Sequence, residues 1–256
     1  MPPLQGDRAP TKTPALELAQ KVSSITISRV IYLGTSGFSY AEWKGSFYPE
    51  KLPQKQFLSF YAEHFNTTEI NSTFYRFPSR SVVKGWSGQV AEGFRFTLKL
   101  SQRITHRKKL SEVDEEMGWF LNGAEPLGTH KGCILVQLPP WFKQDLPLLA
   151  DFLTRHAKRA LFAFEFRHDT WRAPETYQLL NRHEAAWAVV ETDDKPAIRE
   201  ITAPFTYVRL RKSSYSSSEI ADWAGWIGGQ SRDCYVYLKH DGDAPVWARQ
   251  LKDALR

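Results

Sequence analysis

Short apolar runs recur eight times along the chain, and stretches with helical spacing separate most of them. The runs lie at residues 30–36, 67–71, 94–100, 133–138, 161–167, 187–191, 205–210 and 234–238. Strands that alternate with helices pair in parallel through crossover connections. Eight such units between residues 29 and 256 predict the α/β class and a (β/α)8 TIM-type barrel in a single domain. An open doubly wound sheet is less favoured, because the turn at 34–37 lacks the glycine spacing of a phosphate-binding loop.

Helical periodicity places the connecting helices between these runs. It predicts helices at residues 53–65, 79–90, 110–121, 147–156, 174–183, 217–227 and 245–255. The segment after the sixth strand, near residues 196–201, is too short to predict a helix. Nothing in the sequence repeats or resembles a linker, which favours one barrel over two domains.

The fifth run alternates most strictly. Phe162, Phe164 and Phe166 share one face of the predicted strand, whereas Glu165 and Arg167 share the other. A strand of this kind needs a packed layer on its apolar side. Its polar side is expected at the mouth of a pocket.

The composition of the chain indicates which ligands it favours and in which cellular compartment we expect it. The chain of 256 residues carries a formal charge of +6, which favours anionic ligands such as phosphates, carboxylates or nucleic acid. Its two cysteines, Cys133 and Cys234, lie in apolar strands without metal-ligand spacing, so we expect them to be reduced, as in a cytoplasmic protein.

The first 28 residues differ in character from the rest. They hold four prolines among polar side chains and no apolar stretch typical of a signal peptide, so we predict a flexible tail. No later stretch is long and apolar enough to predict a membrane span or a membrane partner.

Polar side chains stand where the predicted strands end. In a TIM-type barrel the catalytic groups come from the C-terminal ends of the strands and the loops beyond them. A single polar end residue can simply be solvated, but burying several charges around one cavity is costly unless they are paired, hydrated or used. The ends offer Thr35 or Ser36, then Glu69, Asn71, Lys99, Gln137, Glu165, Arg167, Glu191, Arg209 and Lys239.

Several motifs coincide with these strand ends. They read Gly34-Thr-Ser-Gly-Phe-Ser-Tyr40, Thr68-Glu-Ile-Asn-Ser-Thr-Phe-Tyr-Arg76, Gln137-Leu-Pro-Pro140, Phe164-Glu-Phe-Arg-His168 and Tyr207-Val-Arg-Leu210. In these motifs the chain resembles the YecE-like family, known as domain of unknown function 72. The resemblance implies a TIM-type barrel and no established reaction. It weakens at residues 238–243 and at Arg211-Lys212, where many relatives carry an asparagine-rich turn and a His-Gly pair.

A metal site is one chemistry that these residues suggest. Glu69, Glu165, Glu191, His168 and Asp241 could supply ligands. The basic side chains at the same strand ends would repel a cation, however, and no His-x-His spacing is present. We therefore predict no cofactor, and a divalent metal stays a less favoured alternative.

An anion clamp agrees better with the basic residues. Lys99, Arg167, Arg209 and Lys239 would bind a small anionic substrate, phosphorylated substrates included. Glu69 and Glu165 would then serve as general acid and base for hydrolysis, isomerisation or elimination. Two alternatives stay open: Lys99 acts as a base or as a Schiff-base nucleophile, and Glu165 pairs with Arg167 for structural reasons only.

Other loop residues complete the predicted site. His168 is expected in catalysis, and His106 is expected to reach the mouth and bind substrate, since both follow a strand closely. The further substrate-binding residues that we predict are Asn71, Tyr75, Arg76, Gln137 and Trp171, the aromatic ones as a stacking wall.

A basic loop supplies the main alternative function. Residues 103–109, with Arg76, Arg80 and Lys84 nearby, could follow a nucleic-acid backbone, which would make the protein a nucleic-acid-binding or phosphodiester-cleaving barrel. A charge run is more often a solvated face, and no known nucleic-acid motif accompanies it. A non-catalytic anion-binding protein is the third alternative.

Overall fold

Eight parallel strands close into a barrel, and each strand pairs with its neighbours in chain order. The structure is a computed structural model that describes residues 29–256, so the predicted tail at residues 1–28 lies outside the described residues. The strands are β1 (Ile31–Ser36), β2 (Thr67–Ile70), β3 (Arg95–Lys99), β4 (Lys131–Gln137), β5 (Phe162–Glu165), β6 (Ala186–Glu191), β7 (Phe205–Leu210) and β8 (Asp233–Leu238).

Closure comes from the pairing of β1 with β8. The two strands run in parallel register from Ile31 opposite Cys234 to Thr35 opposite Leu238. A closed sheet has no exposed strand edge, and all eight C-terminal ends meet at one opening. The predicted (β/α)8 TIM-type barrel is therefore confirmed.

Helices surround the sheet in the described part of the chain. They are α1 (Phe57–His64), α2 (Ser72–Tyr75), α3 (Arg80–Ser87), α4 (Asp114–Ala124), α5 (Leu146–His156), α6 (Pro174–Arg182), α7 (Ser217–Gly228) and α8 (Ala244–Ala254). The connection from β6 to β7 contains no helix, which agrees with the short segment noted in the sequence.

The predicted start of α4 is wrong by several residues. We expected a helix from residue 110, but α4 begins at Asp114. Lys109, Leu110 and Glu112 have φ angles of 53°, 70° and 49°, and such left-handed residues cannot belong to a right-handed helix. A π-helical turn at Arg103–Arg107, which the sequence did not indicate, precedes them.

The two faces of β5 are occupied as the alternation predicts. Phe162 and Phe164 pack outward against Phe152 of α5, with ring centroids 5.9 and 6.1 Å apart. Ala163 belongs to a separate cluster inside the barrel. The strand ends at Glu165, however, and Arg167 is exposed beyond it, so Arg167 does not share the interior face as we expected.

Tyrosines fill the barrel below its mouth. Tyr32 stacks on Tyr235 with centroids 4.6 Å apart, and the small Ala186 lies in the same interior cluster. Higher up, the Tyr237 hydroxyl forms hydrogen bonds with Thr67 and Thr97 at 2.9 and 2.6 Å. Side chains thus fill the interior of the barrel below its mouth, and the C-terminal end of the barrel is left as the place where a ligand can bind.

Two further expectations concern the chain as a whole. Both cysteines are buried and form no disulfide. Within residues 29–256, every helix is too short or too polar to traverse a lipid bilayer.

Candidate active site at the barrel mouth

Arg209 binds two carboxylates at the centre of the barrel mouth. Its Nη2 lies 2.7 Å from Oε1 of Glu69, and its Nη1 donates to Oε2 of Glu165. Arg209, Glu69 and Glu165 are 2%, 0% and 3% exposed, and they come from β7, β2 and β5, none of which are neighbours. The predicted convergence of strand ends on one opening is therefore observed for these residues.

Further donors saturate Glu69. The Tyr207 hydroxyl donates to Oε2 at 2.6 Å, and the Ser36 hydroxyl donates to Oε1. Asn71 donates to Ser36 at 2.9 Å and lies 3.4 Å from Glu69 Oε1. Burial alone would raise the pKa of Glu69, but Arg209 and these hydrogen bonds outweigh it, so the pKa lies below its usual value.

Glu165 has a similar environment. Its Oε1 accepts from Gln137 Nε2 at 2.7 Å and lies 3.5 Å from Arg211 Nη1. Burial opposes ionisation here too, but Arg209 and Arg211 lower the pKa below its ordinary value. Both carboxylates are therefore ionised at neutral pH, which argues against the general-acid role that we expected for one of them.

The structural pairing that we weighed for Glu165 involves a different partner. Glu165 pairs with Arg209 and Arg211, and Arg167 is exposed at the rim. Arg209 also differs from its expected role, because its Nη1 and Nη2 groups are already bound to the two glutamates. Its contact with a substrate would require breaking a buried ion pair, so we assign Arg209 to holding the carboxylates.

Lys99 lies at the end of β3 beside this ion-pair cluster. Its Nζ donates to Oε1 of Gln137 at 2.8 Å and lies 4.1 Å from the centre of the Phe74 ring. Burial, followed by the charge of Arg209, lowers the pKa of Lys99 to about 8. A lysine of this kind exchanges protons close to neutral pH, unlike an ordinary surface lysine.

Two more cations stand close to the cluster. Burial and the neighbouring Arg209 lower the pKa of Arg211. The pKa of Lys239 is lowered by partial burial and by the charges of Arg211 and Arg209, although the side chain remains exposed to solvent. The Nε of Arg211 is buried and has no hydrogen-bond partner within residues 29–256. Cations that depress one another's pKa in this way repel, and a bound anion would relieve the repulsion.

A cavity of about 320 Å³ opens beside Arg211 and Glu165. Its lining includes Glu165, Arg167, Arg211, Thr192 and Lys195, together with the apolar side chains of Phe166 and Trp187. The cavity lies against the ends of β5 and β6, on the same side of the barrel as the ion pairs. It is of a size that accommodates a small metabolite.

The two predicted histidines have different positions. His106 lies in the π-helical turn with its ring 5.0 Å from Phe74, and burial, Lys99 and Arg167 lower its pKa. The neutral form of His106 is therefore favoured at pH 7, and His106 and Lys99 both pack against the Phe74 ring. His168, by contrast, accepts the Thr170 backbone N–H through Nδ1 and caps a short turn, which indicates a structural role.

The predicted stacking wall is not formed at the mouth. Trp171 is 1% exposed, stacks on Phe166 at 4.5 Å and donates to the Phe142 carbonyl at 2.8 Å, so it is a packing residue. Tyr75 is 70% exposed and Arg76 is also exposed, both on the rim. Phe74, which we did not predict, is the aromatic ring that contacts Lys99.

Two site residues that sequence reasoning missed, Arg211 and Tyr207, could have been found from strand parity. They flank Arg209 at a spacing of two, so all three side chains share the interior direction of β7 and its extension. Arg211 was noted only as a departure from the family pattern.

The acidic residues and histidines that we considered as metal ligands do not form a metal-binding group within residues 29–256. In the described part of the chain, no three His, Cys, Asp or Glu side chains form a group suited to a metal ion. Glu191, one of the candidates, instead accepts from the Trp223 indole at 2.9 Å. The absence of a cofactor from this protein stays a prediction.

The fold and the site together define a TIM-type barrel with a charged, cation-rich C-terminal mouth. Residues 32–256 match the family model described as Protein of unknown function DUF72, and the chain belongs to this family. The resemblance noted in the sequence is thereby confirmed.

Known relatives agree with this assignment. The chain is 33% identical over 171 residues to the UPF0759 protein YecE of Escherichia coli O157:H7 and, equally, to that of Escherichia coli strain K12. Each match covers 65% of this chain and spans 60% of the length of the curated relative.

Solved structures show the same architecture. A DUF72 family protein from Thermotoga maritima MSB8 is 26% identical, with a TM-score of 0.73 over 89% of this chain and 99% of that one. A DUF72 family protein from Enterococcus faecalis V583, at 21% identity, shares the fold with a TM-score of 0.71 over 88% of this chain and 95% of that one.

Proposed function

We propose that this protein is an enzyme that binds a small anionic substrate at the barrel mouth and transfers protons through Lys99. The observation that carries the proposal is the surplus of basic groups around the central ion pairs. Glu69 and Glu165 carry two negative charges, whereas Arg209, Arg211, Lys99 and Lys239 beside them can carry four positive ones. Such a surplus is costly in a half-buried site unless an anion balances it.

The roles follow from the environment of each group. Arg211, with Arg167 at the cavity wall, would bind a phosphate or carboxylate group of the substrate, since guanidinium groups suit both anions. Arg209 and its two glutamates form a rigid base that fixes the direction of Arg211 and Gln137. Lys99, with a pKa of about 8, would act as general base or acid, and the neutral His106 nearby could exchange protons with it.

The nucleic-acid alternative has weaker support. Arg103 and Lys108 of the basic loop both pair with the buried Glu116, at 3.1 and 3.0 Å, so part of the charge run is neutralised within the fold. Arg80 pairs likewise with Glu125 at 2.6 Å. The cavity of about 320 Å³ at the mouth suits a small ligand better than a strand of nucleic acid.

The test is calorimetric binding of inorganic phosphate, pyrophosphate and citrate at constant ionic strength, with chloride as reference. We expect saturable binding of at least one of these anions by the wild-type protein and about a tenfold or greater loss of affinity in Arg211→Gln. Lys158→Gln is the matched control, since it removes one exposed positive charge before β5, at the opposite end of the barrel.

Two outcomes would overturn the proposal. One is that none of these anions binds better than chloride. The other is that Arg211→Gln and Lys158→Gln weaken binding equally, because general charge attraction would then explain the result. Salt-dependent retention of single-stranded oligonucleotides that Arg211→Gln leaves intact would instead favour the nucleic-acid alternative.

A further inference from the structure

The hydrogen bonding of Lys99 is unusual for a lysine inside a barrel. Two buried carboxylates lie near it, yet both are bound by Arg209, and the acceptor of the Lys99 ammonium is the neutral amide of Gln137. No carboxylate within residues 29–256 forms a salt bridge with Lys99. A lysine with a purely structural role would normally be paired with a carboxylate when it is partly buried.

This arrangement favours the unprotonated amine. Arg209 contributes positive charge close by, and the Phe74 ring covers one side of the amino group at 4.1 Å. The pKa of about 8 agrees with these contacts. An amine that loses its proton near neutral pH is a nucleophile, and desolvation beside another cation is a known way to activate a lysine for attack on carbonyl groups.

We propose that Lys99 is the nucleophile of this site and forms a Schiff base with the aldehyde or ketone group of a substrate that also carries a phosphate or carboxylate. The inference rests on the proposed function, because the anionic group of the substrate is held by Arg211 while its carbonyl carbon reaches Lys99. It adds a covalent step and a substrate class, a small anionic carbonyl compound.

The step balances without any oxidant or reductant. The lone pair of the Lys99 nitrogen attacks the carbonyl carbon, a C–N bond forms, and the carbonyl π electrons move to oxygen, which takes up a proton. The nitrogen releases a proton to give a neutral carbinolamine. A second proton on the oxygen lets it leave as water, and the nitrogen lone pair forms the C=N bond of the protonated Schiff base.

The surroundings can support these proton movements. His106 is neutral and close to Lys99, so it can accept the proton that the nitrogen releases and return it to the departing oxygen. The positive charge of the Schiff base then lies beside the Gln137 amide oxygen. A protonated Schiff base withdraws electrons from the adjacent carbon, which suits the isomerisation or elimination that we expected from the sequence.

The experiment is borohydride trapping on the full chain, followed by intact-mass measurement and peptide mapping. The probes are dihydroxyacetone phosphate and pyruvate, and uncharged dihydroxyacetone is the matched control ligand. We expect reduction to fix one probe molecule per chain on Lys99 with at least one anionic probe. At pH 7, labelling of Lys99 should exceed that of the exposed Lys158 by about tenfold or more, because a pKa of about 8 leaves a sizeable unprotonated fraction of Lys99.

Variants separate this inference from the proposed function. Lys99→Arg keeps the charge but cannot form the Schiff base, so trapping should vanish while phosphate binding persists. If anions bind but neither probe is trapped on Lys99, or if labelling is spread evenly over surface lysines, the Schiff base is wrong and anion binding stands. If no anion binds at all, both proposals fail.

Discussion

Arg209 on β7 reaches across the barrel to Glu69 on β2, with Nη2 and Oε1 2.7 Å apart and both residues shielded from solvent. Glu165 on β5 completes the arrangement from a third side. A single guanidinium therefore connects three strands that are not paired with one another in the sheet. Removing it would leave two charges buried without their partner.

Arg209→Gln should lower the free energy of unfolding by about 3–5 kcal/mol, because breaking a buried ion pair from one side leaves uncompensated charge. Urea denaturation measures the change. Arg211→Gln is the matched control, since Arg211 is partly exposed and its removal should cost less than about 1 kcal/mol. Equal losses in the two variants would show that the central ion pair has no special structural role.

Acid should destabilise the protein through the same carboxylates. The folded-state pKa values of Glu69 and Glu165 are lowered, so these groups contribute stability that is present above the unfolded pKa of about 4.3. That stability is lost as the pH falls below this value through the lower folded pKa. The unfolding free energy of the wild-type protein should thus decrease below about pH 4 more steeply than that of Glu165→Gln, and parallel pH profiles would contradict the assignment.

Lys99→Met should leave stability unchanged or raise it by up to roughly 2 kcal/mol at pH 7. The lowered pKa means that the folded state disfavours the charged amine, and methionine fills a similar volume without a charge. The pKa of Lys99 is lower in the folded state than in the unfolded chain. The unfolding free energy of the wild-type protein should therefore rise with pH between about 8 and the ordinary lysine pKa. Thermal denaturation at several pH values tests this, and a loss above about 2 kcal/mol would indicate a structural lysine.

Trp171→Ala should destabilise the protein by about 3–5 kcal/mol without changing anion affinity in the folded state. Trp171 is buried, stacks on Phe166 and donates to the Phe142 carbonyl, so its removal creates a cavity but breaks no contact with Arg211 or the ion pairs. Denaturation and phosphate titration under folding conditions measure the two effects separately. A selective loss of affinity with little loss of stability would restore Trp171 to the binding site.

The periodicity of the sequence was sufficient to predict the barrel, because strand alternation is local. Phe164 and Glu165 point to opposite faces of β5 whatever surrounds them, so the interior position of Glu165 followed from parity. The same reasoning placed Lys99 and Arg209 at the mouth, and Glu69 was placed there as a strand-end residue.

The partners of these residues could not be predicted, since pairing depends on distances across the closed barrel. Glu165 has Arg167 as its neighbour in sequence, but Arg209, from two strands away, binds it in space. The local contacts of Trp171 and His168 could not be predicted for a related reason: their position after a strand end suited a site, and sequence alone does not show that Phe166 and Thr170 contact them.

The central claim is that the basic surplus at the barrel mouth exists to bind an anion. A crystal structure of the wild-type protein soaked with inorganic phosphate tests this directly. The account predicts phosphate density within hydrogen-bonding distance of the Arg211 guanidinium, in the cavity that Arg167 also lines. Phosphate bound only at surface sites, with water alone beside Arg211 at saturating concentration, would contradict it.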